Sequence, residues 1–301
     1  MPDSKQLESL CSQAEIAFLR DEPLAGHCTF RIGGPADYFL LPKNTAQLRQ
    51  AAQFCRESGM RSYFLGNGSN VLFRDEGFRG AVIDLSSMEE ALRTDGCILT
   101  ASAGCSLMRL CRFAQKNSLT GLEFAYGIPG TLGGAIYMNA GAYGGEIADV
   151  LLDAEVLLPD GTLHTAGAGN LQLSYRHSAI QEKGICVVSA RLRLETGDAA
   201  HIAGVMEDFM SRRREKQPLD KPSAGSTFKR PEGAYAAALI EQCGLKGYRV
   251  GGAAISEKHS GFVVNLGGAR CADVLQLCAD VAAIVKEKTG YTLEKEIRVV
   301  E

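Results

Sequence analysis

Between Gly121 and Gly145 the chain reads GLEFAYGIPGTLGGAIYMNAGAYGG, eight glycines in 25 residues. A segment of that kind is either a loose linker or a place where another group comes close to bare backbone. Linkers are polar and rich in Gly and Ser, whereas Leu132, Ile136, Tyr137, Met138 and Tyr143 interrupt these glycines, so the segment reads as ordered. A second cluster, Gly66-Asn67-Gly68-Ser69-Asn70, lies between the apolar runs Tyr63-Phe64-Leu65 and Val71-Leu72-Phe73. Consecutive N–H groups in such a turn form an anion-binding concavity, and Ser69 and Asn70 add donors suited to phosphate oxygens. An ordinary hairpin turn is the competing reading of the same letters.

Neither cluster is a Walker A loop or a strand-linked G-x-G-x-x-G with a ribose carboxylate downstream, so a Rossmann dinucleotide domain is not supported. Two donor-bearing glycine loops about 60 residues apart suit a long diphosphate ligand better than a single phosphate. With 32 basic and 35 acidic residues the net charge is -3, and no stretch concentrates Lys and Arg beyond Arg212–Lys216, read as the solvated end of a helix. Nucleic acid and anionic membrane are therefore poor candidates for partners. Ten cysteines sit in apolar surroundings without a C-x-x-C pair, the pattern of buried reduced thiols in a cytoplasmic protein. Residues 1–23 carry an amphipathic helix pattern broken by charges, with no signal peptide or membrane span expected.

Strand-type runs are expected at Ala36–Leu41, Ala81–Leu85, Cys97–Ala103 and Val187–Leu194. A helix is expected over Thr45–Ser58, capped by Thr45 and stopped by Gly59, and a hairpin over Ala154–Thr165 around Pro159-Asp160-Gly161. After Thr196 the pattern turns to long helices, Ala199–Arg214 and Cys271–Lys288, around a shorter one at Ala234–Gln242. That change places a domain boundary near Gly197 and Asp198. The closing segment Tyr291–Val300 reads as a strand with Glu294 and Glu296 on one face and Lys295 on the other.

Ser226 to Lys229 spells S-x-x-K, and Lys288-Thr289-Gly290 spells K-T-G, two signatures of penicillin-recognising acyl enzymes. That serine should open a helix, but Pro231 and the β-prone Thr227-Phe228 favour an extended segment. No serine has asparagine two residues on, and K-T-G lies at an expected helix end with Gly290 as its C-cap. The match is a decoy.

Several further motifs stand in order along the chain: HCTFRIGGPAD from His27, GNGSNVLF from Gly66, the glycine segment continued to Ile147, YRHS from Tyr175, AGSTFKRP from Ala224, KHSGFVVN from Lys258 and LEKEIRVV from Leu293. Together they resemble the UDP-N-acetylenolpyruvoylglucosamine reductase family, flavoenzymes of peptidoglycan precursor synthesis, in its shorter second type, over nearly the whole chain. Cys28 departs from the hydroxyl residue usual there, while Thr29 remains. The resemblance implies an α+β fold: a vanillyl-alcohol-oxidase/PCMH-type FAD-binding domain of two α+β subdomains, plus a C-terminal α+β substrate-binding domain. The implied divisions are residues 1–72 with 292–301, 73–197 and 198–291.

The resemblance also implies non-covalent FAD, with NADPH as hydride donor and a nucleotide-sugar substrate; a cytoplasmic protein is expected, and a monomer, although the sequence does not give the oligomeric state. It assigns cofactor contacts to Gly66, Asn67, Gly68, Ser69 and Asn70 in the first loop. In the second they fall on Pro129, Gly130, Thr131, Gly133, Gly134, Asn139, Gly141 and Gly144. In the family it resembles, reduced flavin delivers hydride to the enolpyruvyl methylene carbon, and the resemblance puts Arg176 and Glu296 by the carboxylate and Ser226 as proton donor to the neighbouring carbon. Arg176 offers a planar fork to growing negative charge. Glu296 is useful only if protonated or sharing a proton. Tyr175, Lys229, His259 and Asn265 fall to the substrate, with packing an equal alternative for His259 and a core place for Tyr175. Neither His177 nor His259 has metal-ligand spacing, so no metal site is expected. Another FAD oxidoreductase of the same domain type, or a silent flavin-binding protein, are the alternatives.

Overall fold

Most periodicities become the elements they suggest. The structure, a computed structural model, describes residues 4–89 and 91–301. The chain forms two units, one of Met1–Arg20, Tyr38–Asn67 and Gly80–Arg212, the other of Asp21–Asp37, Gly68–Arg79 and Arg213–Glu301. Both mix helices with strands, the α+β class expected.

In the first unit the hairpin expected around Pro159-Asp160-Gly161 pairs Leu151–Leu157 with Leu163–Gly167, and Gly161 turns it at a φ of 89°. Leu151–Leu157 also pairs with Cys186–Arg193, which continues through Ile98–Ser102 to Leu92–Asp95 as a five-stranded antiparallel sheet. Its core includes Leu99, Ala101, Leu110, Leu132, Ile136, Val156 and Leu192. The two 60s-to-80s strands pair in parallel, Ser62 to Ala81 through Leu65 to Asp84, above the buried Leu48, Ala51 and Cys55 of the helix Thr45–Glu57. That helix is capped by Asn44, not Thr45: the amide oxygen accepts from the Gln47 N–H at 3.0 Å, and Thr45 is already helical.

The N-terminal pattern divides. A helix covers only Ser4–Gln13, the chain turns through Glu15 at a φ of 55°, and Ala17–Pro23 is a strand. The buried Leu7, Cys11 and Ile16 simulate one helical stripe in sequence although a turn separates the last of them. The helix Ala199–Lys216 does carry the basic run at its end, but Arg213 is buried rather than solvated.

In the second unit Ser223–Ser226, Phe262–Asn265, Ala253–Ile255 and Arg249–Val250 form an antiparallel sheet in that order. The helix Cys271–Thr289 packs on its last two strands, burying Val274, Leu277, Cys278, Val281 and Val285 at helical spacing. Its first turn is capped from far along the chain: the Asp75 carboxylate accepts from the N–H groups of Cys271 and Ala272 at 2.7 and 3.1 Å. Gly290 ends it at a φ of 80°, so K-T-G is a helix terminus as expected. The closing segment is not one strand. Only Arg298–Val300 is a strand, parallel to Val71–Phe73, and Lys295 makes a single bridge to Phe228. The intervening backbone follows other partners, which matters for Glu296.

All ten cysteines are free thiols, nine of them buried and Cys97 half-buried. Burial pushes Cys11 and Cys271 up to about 11 and Cys55 and Cys278 up to about 12, with Cys111 and Cys186 raised further for the same reason.

Candidate active site

Gly66 and Asn67 of the first glycine cluster meet the second cluster within the first unit. Asn67 follows the strand Ser62–Leu65, and its Nδ2 donates to the Pro129 carbonyl at 2.6 Å. A Cβ on Gly66 would stand 2.5 Å from Thr131 Oγ1. Thr131 is buried and caps the short helix Leu132–Tyr137, its Oγ1 accepting from the Gly134 N–H. Behind it, Leu107 N–H donates to the Gly130 carbonyl and Gly133 N–H to the Ala103 carbonyl at 2.8 Å, fastening this turn to the Ala103–Leu107 segment.

The glycines divide by what lies against them. At Gly133 a Cβ would meet Ala103 Cβ at 2.9 Å, and at Gly141 it would meet the Gly145 carbonyl at 2.7 Å. Gly68 is held at a φ of 58° with its Cβ position 2.3 Å from the His27 carbonyl. The close neighbour inferred for these glycines is the protein's own chain. Gly134 differs: it is exposed, and a Cβ there would touch only Thr131 Oγ1, at 3.5 Å. Gly144, at a φ of 90°, is exposed with nothing within 4 Å. Bare backbone beside the exposed Pro129 and Asn67 is a surface that a long, flat, phosphate-bearing group can approach closely, so the residues present fit a flavin dinucleotide.

Asn139 has no exposed surface and sits at a φ of 41°. Its Oδ1 accepts from Ala148 N–H at 2.9 Å and its Nδ2 donates to the Ser174 carbonyl at 3.1 Å, so its amide joins the glycine segment to the turn that carries Arg176. In that turn Ser174 and His177 exchange both backbone hydrogen bonds, leaving Tyr175 and Arg176 at the tip. Arg176 adopts a φ of 56°, a left-handed position uncommon for a side-chain-bearing residue. Buried Ser178 donates to the Tyr137 carbonyl at 2.7 Å, and Gln181 Nε2 bonds both that carbonyl and Arg176's own. The guanidinium reaches the Gly141 carbonyl at 3.4 Å and lies over the Tyr175 ring at 5.1 Å from its centre. Tyr175 is half exposed, so it is not a core residue. A left-handed turn anchored this firmly fixes a cation at the edge of the glycine segment.

In the second unit Ser226 ends the strand Ser223–Ser226, extended as expected, with its side chain exposed. Gly225 before it has a φ of 74°, and the pairing register with Phe262–Asn265 shifts between Ser223 and Ser226. From Thr227 onward the chain runs beside residues 294–296: Glu296 N–H donates to the Thr227 carbonyl and Lys229 N–H to the Glu294 carbonyl, each at 2.8 Å. Ser226 and Glu296, 70 positions apart in sequence, thus stand on adjoining antiparallel segments. Glu294 does not share the place of Glu296: it is exposed and meets Lys229 Nζ at 3.4 Å, while Glu296 is half-buried. Asn70 Nδ2 donates to the Glu296 carbonyl at 3.2 Å, so this amide of the first glycine cluster is directed at the protein.

Asn265 is buried, and its amide is occupied by backbone. Nδ2 donates to the Phe30 carbonyl at 3.1 Å, and Oδ1 accepts from Gly267 and Ala269 N–H at 2.9 and 3.2 Å. A side chain so engaged positions the His27–Asp37 segment rather than presenting donors outward. His259 is half-buried against Phe262, and Nδ1 accepts from Gly261 N–H at 3.1 Å. Burial holds its imidazole below the ordinary histidine range, leaving a neutral ring with its proton on Nε2. Two motif residues that had been given no role in the site also act here. Thr29 Oγ1 donates to the Ser223 carbonyl at 2.6 Å, and Thr227, only 1% exposed, accepts from Val263 N–H at 2.9 Å through its hydroxyl. A hydroxyl next to a glycine-distorted strand end was the available signal.

Residues 36–167 match the model of an FAD binding domain, and residues 217–300 match the model described as UDP-N-acetylenolpyruvoylglucosamine reductase, C-terminal domain. A UDP-N-acetylenolpyruvoylglucosamine reductase from Lachnoclostridium phytofermentans is 48% identical over 300 residues, 98% of this chain and 96% of its own. The one from Agathobacter rectalis is 49% identical over 298 residues, 95% of each chain. The solved structure of the reductase from Thermus caldophilus superposes with a TM-score of 0.80 at 35% identity, covering 95% of this chain and 99% of its own. With an FAD-binding domain, the matching C-terminal domain and full-length relatives at this identity, the chain belongs to the UDP-N-acetylenolpyruvoylglucosamine reductase family.

Proposed function

We propose that the chain catalyses the NADPH-dependent, FAD-mediated reduction of UDP-N-acetylglucosamine enolpyruvate to UDP-N-acetylmuramate, in cytoplasmic synthesis of peptidoglycan precursors. The observation that carries the chemistry is the backbone pairing of Thr227 with Glu296, which seats an acid and the Ser226 hydroxyl on neighbouring segments. The chemistry that bound FAD supplies is hydride transfer, from NADPH to the enolpyruvyl methylene carbon. Gly134, Gly144, Pro129 and Asn67 are the residues assigned to hold it, since all four are exposed and the two glycines leave backbone uncovered. We keep the division into two FAD-binding subdomains and a substrate domain, residues 1–72 with 292–301, 73–197 and 198–291, as part of this reading.

Addition of hydride to one carbon of the double bond leaves carbanionic character on the next, spread onto the substrate carboxylate. Arg176 answers the carboxylate, its planar donors strengthening as charge grows. Ser226 gives its hydroxyl proton to the carbanionic carbon, and Glu296 shares the proton that restores the serine. Lys229 faces the substrate phosphates: its pairing with exposed Glu294 is a surface contact that a phosphate can replace. His259 offers its Nε2–H as a neutral donor, and Tyr175 presents an exposed face beside Arg176.

Purified protein should be yellow, bleach with NADPH under anaerobic conditions, and recover its colour with UDP-N-acetylglucosamine enolpyruvate. It should release its flavin on denaturation. A colourless protein that fails to take up added FAD contradicts the reading, as does flavin that NADPH bleaches but this substrate leaves reduced.

A further inference from the structure

Thr227 has three groups engaged in three directions. Its N–H donates to the Gly261 carbonyl at 2.9 Å, its carbonyl accepts from Glu296 N–H at 2.8 Å, and its Oγ1 accepts from Val263 N–H at 2.9 Å. The hydroxyl repairs a defect. Because the register shifts between Ser223 and Ser226, the strand ladder does not run regularly to its end, and the buried Val263 N–H takes a side chain as its acceptor instead of backbone.

Glu296 depends on the same residue. It lies outside the strand Arg298–Val300, so no regular ladder holds it. Its N–H goes to Thr227, its carbonyl accepts from Asn70 Nδ2 at 3.2 Å, and the Asn70 carbonyl accepts from Arg298 N–H at 2.9 Å. Resting on the roles given above to Ser226 and Glu296, we propose that Thr227 is a positioning residue for proton delivery: its hydroxyl fixes the bulged strand end that presents Ser226, while its carbonyl fixes Glu296 at constant spacing from it. Loss of the hydroxyl leaves a buried N–H without its acceptor, and the strand end relaxes toward another one.

The test uses the FAD-loaded protein and compares Thr227→Val, which keeps the shape but not the acceptor, with Thr227→Ser, which keeps the acceptor. A displacement near 1 Å costs about 10²-fold, so Thr227→Val should slow flavin reoxidation by UDP-N-acetylglucosamine enolpyruvate by ~10- to 10²-fold. Reduction by NADPH should stay within about twofold, and Thr227→Ser should restore reoxidation. Independently of turnover, hydrogen exchange at the Val263 amide should quicken in Thr227→Val and stay slow in Thr227→Ser. Equal losses in both half-reactions, serine as slow as valine, or a Val263 amide still protected in Thr227→Val would each overturn the proposal. Thr227→Ala, without the added methyl, carries the same expectations where valine prevents folding. Wild-type flavin that this substrate cannot reoxidise defeats the function proposed above, while the exchange measurement still judges the clamp.

Discussion

Gly133 and Gly134 are neighbours in one short helix, and substitution of each by alanine separates a glycine needed by the fold from one open to a ligand. Both changes favour the helix by about 0.5–1 kcal/mol, because alanine loses less backbone freedom on folding. At Gly133 the new Cβ would stand 2.9 Å from Ala103 Cβ and 3.3 Å from the Ala103 carbonyl. The Gly133 N–H bond to that carbonyl prevents the helix from withdrawing. Overpacking of this kind costs about 1–3 kcal/mol and outweighs the helix gain. At Gly134 the nearest atom is Thr131 Oγ1 at 3.5 Å, ordinary contact, so the gain stands. The apoproteins should therefore differ by about 1–3 kcal/mol, and at ~2–4 °C per kcal/mol for a domain of this size Gly134→Ala melts several degrees above Gly133→Ala. Affinity for FAD, read by quenching of flavin fluorescence, should run the other way. Gly134→Ala, with a methyl on the open backbone, should lose about tenfold or ~1.4 kcal/mol, while folded Gly133→Ala binds like the wild type. A lower melt for Gly134→Ala, or unchanged FAD affinity in it, refutes the division of these glycines.

Under native conditions at pH 8 the thiols should alkylate slowly, since burial raises Cys11, Cys55, Cys111, Cys186, Cys271 and Cys278, and half-buried Cys97 should react first. Mass spectrometry should count ten reactive thiols only after denaturation; fast native labelling of Cys111 or Cys186 contradicts their burial. The His259 ring should titrate by NMR with a midpoint below about 6.5. Its folded form resists the proton, so this histidine's contribution to stability is complete above that value and declines as pH falls through the lowered one. A midpoint above 6.5 removes the neutral Nε2–H donor from the account.

What the sequence disclosed was largely local. The extended course of Ser226 followed from Pro231 and the β-branched Thr227, and the helix Cys271–Thr289 from its apolar spacing and Gly290. Its acidic cap did not, because Asp75 lies 196 positions before Cys271. Distance in sequence likewise hid the seat of Glu296: alternation along Tyr291–Val300 suggested a single strand, yet the backbone there answers to Thr227 and Asn70. Polar residues in the motifs also serve the fold itself. Asn139 and Asn265 carry the amides that a ligand site would need, and both use them on backbone carbonyls and N–H groups nearby. Nothing in the letters distinguishes an amide aimed inward from one aimed at a ligand. For the glycines the need for bare backbone was legible, but whether protein or ligand covered it required coordinates.

The central claim is that Ser226, set beside Glu296, gives the proton that completes reduction. Anaerobic stopped-flow of Ser226→Ala measures it most directly. NADPH should bleach the flavin at close to the wild-type rate, while reoxidation by UDP-N-acetylglucosamine enolpyruvate should fall by ~10² to 10⁴, the usual scale for loss of a general acid. Reoxidation as fast as wild type, or equal loss in both half-reactions, would contradict it.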